Sequence, residues 1–258
     1  MTDWNAEQYL KFADERGRPS LDLVARIAVS RPERIIDLGC GPGNSTAVLR
    51  RQWPQAEITG LDNSEDMIAA ARESHPEGIW ILADAATWTA EVPFDIVYSN
   101  AALQWLPDHE SLFPHLFSWV APGGALAVQI PAHFNSVLHK EIVEVAKNAE
   151  WLHLMDAPLN VMTKKPPSFY YNLLQPLAAR LEIWETEYYH VMESPRAIIE
   201  WFRGTGLRPY LEALESEGQR QRFVDMLLER YRRSYPRQND GRILFPFRRL
   251  FIIAYRVG

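Results

Sequence analysis

Residues 34–46 read RIIDLGCGPGNST: a short apolar run, an aspartate, three alternating glycines, then residues able to start a helix. The run is too short for a helix and suits a buried strand. Gly39, Gly41 and Gly43 permit a tight turn and let a ligand approach bare backbone. Strand, glycine turn and helix start together describe the first crossover of an α/β sheet that binds a nucleotide-like ligand. The spacing departs from the dinucleotide pattern G-x-G-x-x-G, because the third glycine comes one residue early. Asp37 stands two residues ahead of the first glycine, where a carboxylate repels a diphosphate and attracts a cation such as an ammonium.

Outward from this turn the pattern alternates. Strands are predicted at Arg34–Leu38, Ala56–Leu61, Ile79–Ala83, Phe94–Ser99 and Gly124–Ile130. Helices are predicted at Pro19–Val29, Asn44–Gln52, Ser64–Glu73 and from about Glu110 to Val120, with Ser64 as a cap and acids in the first turn behind it. This rhythm specifies a mostly parallel sheet with helices on both faces, and right-handed crossovers bring the strand ends to one edge. Asp37, Asp62, Asp84 and Asn100 each fall at or just past the carboxyl end of a predicted strand, the edge where such sheets bind ligands. A carboxylate at Asp62, nineteen residues beyond Gly43, can accept both hydroxyls of a ribose. Asp84 and Ala85 can meet an adenine with a carboxylate and a backbone N–H. An ammonium, a ribose and an adenine without a phosphate describe S-adenosylmethionine.

From His133 the alternation breaks. Residues 136–151 are predicted as an amphipathic helix, 163–168 as a loop, Phe169–Ala179 as a helix and 181–192 as a strand. Helices at 194–202 and 222–236 and a strand at 248–257 complete the chain. The expected organisation is an N-terminal helical lid at 1–30, a cofactor-binding core at 31–132, and substrate-cap helices with the last two strands at 133–258.

Composition narrows the function. The 258 residues carry 27 Lys and Arg against 33 Asp and Glu, a net charge of −6. Residues 1–130 hold nine basic and eighteen acidic side chains (−9), and 131–258 hold eighteen and fifteen (+3). An acidic protein is poorly suited to a phosphate backbone, so no nucleic-acid partner is expected. The basic excess of the second half suits a small anionic ligand. The polar first twenty residues have no apolar core of a secretory signal, and no apolar run approaches the ~18 residues of a membrane span. A single cysteine, Cys40, rules out an internal disulfide, and no metal-ligand spacing occurs. A cytoplasmic location, no membrane partner and no metal are expected.

The segments IIDLGCGPGNST, GLDNSEDMIAAA, ILADAATW, FDIVYSNAALQWLPD and VAPGGALAVQI, spanning 34–130, resemble the class I S-adenosylmethionine-dependent methyltransferases. LDLVAR at 21–26 and WFRGTGLRPYL at 201–211 extend the likeness to the bacterial trans-aconitate methyltransferases over nearly the whole chain. The resemblance implies a Rossmann-like, seven-stranded fold with a helical cap, and methyl ester formation on a carboxylate of a small acid. It implies that Asp37, Gly39 and Gly41 meet the methionine end of the cofactor, Asp62 the ribose, and Asp84 and Ala85 the adenine, with Cys40, Asn63 and Met67 as further cofactor-binding residues. Asn100 falls beside the sulfonium, and Tyr9 and Arg18 close over the ligands from the N-terminal segment.

Methyl transfer from a sulfonium needs alignment more than acid–base help, because a carboxylate is already ionised at pH 7. No catalytic side chain is therefore assigned beyond positioning. Arg203, in a stretch with Trp201, Gly204 and Gly206 expected to be a shaped loop, is the first choice to bind the acid, since its planar fork matches a carboxylate. Tyr171 and Gln104 are further choices. Cys40, inside the glycine turn, is expected to act through its backbone rather than as a nucleophile. The alternatives are a malonyl-carrier-protein methyltransferase, a nicotinamide-dependent oxidoreductase on a similar sheet, and a cofactor sensor without chemistry.

Overall fold

The computed structural model describes residues 13–163 and 165–258, and the side chains from Gly17 onward. The elements run α1 (Ala13–Val24), β1 (Arg34–Leu38), α2 (Asn44–Gln52), β2 (Glu57–Asp62), α3 (Glu65–Ser74), β3 (Ile79–Leu82), β4 (Phe94–Asn100), α4 (His109–Ser118) and β5 (Val120–Pro131). They continue as α5 (Val137–Ala146), α6 (Asp156–Asn160), α7 (Pro167–Leu174), β6 (Arg180–Met192), α8 (Pro195–Arg203), α9 (Arg208–Ala213), α10 (Glu217–Ser234) and β7 (Ile243–Tyr255). One seven-stranded sheet has the order β3-β2-β1-β4-β5-β7-β6. The β3-β2, β2-β1, β1-β4 and β4-β5 pairs are parallel. Hydrogen bonds from Ala132 to Arg248 and from Arg256 to Gly124 show β7 running antiparallel to β5. The order reverses beside β1, whose carboxyl end therefore opens into the crevice between crossovers that leave in opposite directions.

Apolar residues explain why the central strands sit where they do. Ile35, Ile36 and Leu38 of β1, Ile96 and Val97 of β4, and Ala125 to Val128 of β5 are wholly enclosed, as expected of strands covered on both faces. Cys40, Ile68, Ala71 and Trp80 form a cluster that packs the glycine turn against α3 and β3. Ser20 of α1 is held to the buried Tyr98 hydroxyl of β4 at 2.7 Å, which fixes α1 on the face that also carries Asp37.

The chain divides into two compact units. One runs through Pro131 and takes in Thr163–Thr186 and Leu250–Gly258; the other comprises Ala132–Met162 and Glu187–Arg249. The second has an aromatic interior, with His133 stacked on Phe247 at 4.6 Å and Trp201 edge-on to Phe247 at 4.9 Å.

Several predicted boundaries are corrected. The first described helix spans Ala13–Val24, so Pro19 lies inside it rather than at its start. The Pro122-Gly123-Gly124 segment is a bulge within β5, not a turn ahead of it. A side chain at Gly124 would come within 2.5 Å of the Asp95 carbonyl, so glycine is needed for the two strands to stay paired. The helix predicted at 136–151 stops at Ala146, and the one at Phe169–Ala179 spans Pro167–Leu174. α10 starts at Glu217 because Ser216 and Gln219 form a reciprocal capping box, a signal legible in the sequence.

Gly39 adopts φ +67°, and a Cβ there would lie 2.2 Å from the Ala102 Cβ. Gly39→Ala is expected to lower stability by about 2–4 kcal/mol, combining left-handed strain with overpacking. Adding Ala102→Gly should recover the overpacking share. Denaturant unfolding of both variants checks this, and an unchanged midpoint for Gly39→Ala would refute the close approach.

Candidate functional site

The site grows from the carboxyl ends of β1, β2, β3 and β4. After β1 the chain must reverse into α2, and the end of β2 holds that reversal in shape. The Gly39 and Cys40 N–H groups donate to the Leu61 carbonyl at 2.7 and 3.1 Å, and the Gly43 N–H donates to the Cys40 carbonyl at 3.1 Å. The Gly41 N–H donates to Asp62 Oδ2 at 2.9 Å, while Asp62 Oδ1 accepts from the Ser64 N–H at 2.9 Å. Asp62 thus ties the glycine turn to the start of α3 and keeps a further lone pair on each oxygen. Burial pushes its pKa up, opposed by the N–H groups of Ser64, Gly41 and Asn63.

Asp37 is completely enclosed. Its Oδ2 accepts from the Ser45 and Thr46 hydroxyls at 2.7 Å each, both from the first turn of α2. Its Oδ1 is buried without any hydrogen-bond partner. Burial raises its pKa from 3.8 to about 7, with the two hydroxyls working against this and the negative charge of Asp62 adding to it. An enclosed carboxyl with one idle oxygen can accept a hydrogen bond from a cationic donor, which would lift the cost of its burial.

The other predicted residues fall as follows. Cys40 points into the Ile68, Ala71 and Trp80 cluster, and burial, then the charges of Asp37 and Asp62, push its thiol far above the usual range, so it is no nucleophile. Its N–H is engaged by Leu61 of β2 and its carbonyl by the Gly43 N–H. Asn63 is exposed, whereas Met67 is buried beneath the turn, its Sδ 4.0 Å from where a Gly41 Cβ would stand. Asp84 Oδ1 accepts from the Ala86 N–H at 2.9 Å and shapes the turn after β3, with Ala85 buried beside it. The Ala83 N–H reaches the Asp62 carbonyl at 3.0 Å, so β2 and β3 end together.

Beyond β4 the backbone is strained, with Ala101 at φ +56° and Asp108 at φ +49°. Asn100 Oδ1 and Gln104 Oε1 are buried without partners, while Gln104 Nε2 donates to the Ala101 carbonyl at 2.6 Å. A buried histidine pins this loop: His109 Nε2 meets the Leu103 carbonyl at 2.8 Å and Nδ1 meets the Tyr170 hydroxyl at 2.7 Å. A carbonyl only accepts, so Nε2 carries the proton and Nδ1 accepts from Tyr170. Burial lowers the pKa of His109, in keeping with a neutral ring.

Of the substrate choices, Gln104 stands in this loop. Tyr171 is 53% exposed on α7, while the enclosed tyrosine is its neighbour Tyr170. Arg18 is an exposed residue of α1, and Tyr9 lies outside the described residues. Arg203 belongs to the other unit. The loop expected around it is corrected: α8 continues through Arg203, because the Ser194 cap and Pro195 start the helix and its apolar face stays buried up to Phe202. Arg203 there lines an open cavity of about 410 Å³ with Arg208, Leu211, Glu212, Glu217 and Arg220.

The sequence reading missed Ser45, Thr46, His109 and Tyr170. It also missed Gln129 of β5, a fully buried amide whose two polar atoms both lack partners. The available signal was a lone polar residue at the end of the apolar run GALAVQIP, the same strand-end rule that singled out Asp37 and Asn100. Among the described residues no cluster of His, Cys, Asp and Glu could hold a metal, and no helix is long and apolar enough to cross a membrane.

The sheet order, the glycine turn and the strand-end carboxylates define a Rossmann-like S-adenosylmethionine-dependent methyltransferase. A methyltransferase-domain family matches residues 35–124. The YcgJ protein of Bacillus subtilis superposes with a TM-score of 0.63 at 15% identity, covering 93% of this chain and 99% of its own, a likeness of fold. A trans-aconitate 2-methyltransferase of Rhodopseudomonas palustris (strain BisA53) is 45% identical over 255 residues, 98% of this chain and 99% of its own. Another of that name, from Azoarcus sp. (strain BH72), is 43% identical over 99% of this chain and the whole of its own. The chain belongs to the trans-aconitate 2-methyltransferase family.

Asp37 yields a prediction whose sign follows from its raised pKa. Between about pH 4 and 7 the folded state keeps a proton that the unfolded chain releases. Its stabilising share is therefore complete below pH 4 and is lost as pH rises to about 7. Asp37→Asn should raise the melting temperature of the ligand-free protein at pH 7.5 and lose this advantage towards pH 4. The same variant should weaken S-adenosylmethionine roughly 10–150-fold, the worth of a charged hydrogen bond, and abolish the rise in wild-type affinity from pH 5.5 to 7. Thermal scans and calorimetric titration across pH measure both, and a wild-type affinity flat over that range would overturn the assignment.

Proposed function

We propose that this protein forms a methyl ester on a carboxylate of trans-aconitate and acts in the cytoplasm. The observation that carries the ligand assignment is the idle, enclosed Oδ1 of Asp37 at the strand end behind the glycine turn. It favours an amino-acid cofactor over a diphosphate, and the full-length likeness to the trans-aconitate 2-methyltransferases supports the choice of acid.

When bound, S-adenosylmethionine supplies a sulfonium methyl that an ionised carboxylate oxygen takes by in-line displacement, the carbon–sulfur bond breaking as the carbon–oxygen bond forms. Asp37 would hold the ammonium, with the turn at Gly39, Cys40 and Gly41 leaving room for the methionine chain. Asp62 would accept the ribose hydroxyls on the lone pairs not already taken by Gly41 and Ser64, with Asn63 and Met67 flanking. Asp84 and Ala85 would meet the adenine, and Asn100 would lie beside the sulfonium. Alignment at about 3–3.5 Å is the main contribution such a site makes, about 7–11 kcal/mol of the barrier. The acid needs no base, because it is ionised at neutral pH.

Arg203 is proposed to clamp a carboxylate of the acid, with Tyr171, Gln104 and Arg18 in supporting places, and Tyr9 is proposed to close over the cofactor. In its cavity Arg208 pairs with Glu212 at 3.5 Å, and Arg220 is engaged by Glu217 and the Leu211 and Leu214 carbonyls. Residues 131–258 carry the net positive charge of +3, which suits a polyanion.

Incubation with methyl-labelled cofactor and trans-aconitate should give a base-labile labelled ester, and turnover of a different acid alone would move the acceptor. Arg203→Ala should raise the KM for the acid about tenfold, roughly 1.4 kcal/mol, with cofactor affinity unchanged. A loss of cofactor binding without a change in KM would remove Arg203 from the acid's site.

A further inference from the structure

We infer that Gln129 is a substrate-binding residue, whose amide N–H groups hold the carboxylate that receives the methyl. The inference rests on the proposed esterification and adds the group that grips the reacting oxygen atoms. Gln129 lies in β5 among Ala125, Leu126, Ala127, Val128 and Ile130, all buried and apolar. It is itself fully enclosed, and neither Nε2 nor Oε1 has a partner. An apolar side chain in this strand would avoid the cost of burying an idle amide.

Its placement says what the amide is for. Gln129 is the register partner of Asn100 on the neighbouring parallel strand, so the two side chains leave the same face of the sheet. Two positions earlier on β4, Tyr98 pairs with Asp37 of β1, so that face is also the face of Asp37. The Gln129 carbonyl takes the Ala101 N–H at 2.9 Å, and the Ala101 carbonyl takes the Gln104 amide. The unpartnered Asn100 Oδ1 and Gln104 Oε1 are therefore tied to Gln129 through one residue of backbone.

Gln104 is oriented by its bond to a carbonyl, so its free atom is an acceptor; Gln129 has no bond and can turn its NH₂ toward a ligand. The idle Asn100 oxygen suits the positive end of a methyl donor, and the idle Gln129 NH₂ suits an anion. A neutral donor has a further merit at the reacting carboxylate. It orients the oxygens by hydrogen bonds without the full charge of a guanidinium, which would withdraw the electron pair that attacks the methyl carbon.

The test is Gln129→Leu in the full chain, assayed with the acid that the wild type methylates. Expected are a melting temperature equal to or above wild type, S-adenosylmethionine affinity within about twofold, and kcat/KM for the acid at least tenfold lower with KM carrying most of the loss. Should the leucine variant fail to fold, Gln129→Ala is read in the same way. Steady-state constants within twofold of wild type overturn the inference. So does a lowered melting temperature with unchanged KM, the signature of an amide that only holds an internal water. Turnover of another acid in place of trans-aconitate would move the acceptor and leave Gln129 to be judged on that acid. A wild type that esterifies no carboxylic acid would remove both the proposed function and this inference.

Discussion

The glycine turn is held open by its neighbour strand, and the ligand site depends on that tie. Three consecutive N–H groups, of Gly39, Cys40 and Gly41, point at the end of β2 and are satisfied there by the Leu61 carbonyl and the Asp62 carboxylate. A turn of this kind left to itself would close on its own polar groups. Held by β2, it exposes bare backbone and leaves Asp37 behind it with one oxygen idle. Asp62 therefore has a structural duty in holding the turn, and its remaining lone pairs stay open to a ligand's donors.

The electrostatics follow from enclosure. Two carboxyls lie close together in a buried crevice, and burial disfavours charge on each. The Ser45 and Thr46 hydroxyls and the N–H groups around Asp62 partly offset this, and a cationic ligand would complete the compensation. Keeping both carboxyls in the crevice therefore costs stability wherever they must ionise. Stability is given up at the site in this way when function needs an unmatched charge.

A second tie fixes the far wall. Ala101 and Asp108 both adopt positive φ without being glycine, and the loop between them holds because His109 anchors Leu103 and is anchored by Tyr170. The neutral imidazole, enclosed and bonded at both nitrogens, acts as a rigid spacer rather than a base. It holds Leu103 beside Gln104, whose amide is bonded to the Ala101 carbonyl.

Local sequence was enough for the alternating strands and helices, the parallel sheet and the strand-end acids. Each rests on a short-range signal: the apolar run RIIDL, the glycines after it, a capping serine at Ser64. Boundaries failed where tertiary pairing overrode local chemistry, as in the Pro-Gly-Gly bulge that β4 and β7 draw into a strand. The candidate site was legible in part for the same reason. Asp37, Asp62, Asp84 and Asn100 stand beside turn signals that mark them, whereas His109 and Tyr170 are sixty-one positions apart and meet only when α4 and α7 pack. Composition and spacing by themselves determined that this is an α/β protein with a phosphate-free nucleoside site. Which polar atoms are left without partners was decided by the tertiary structure alone, because an unpaired group is defined by everything that folds around it.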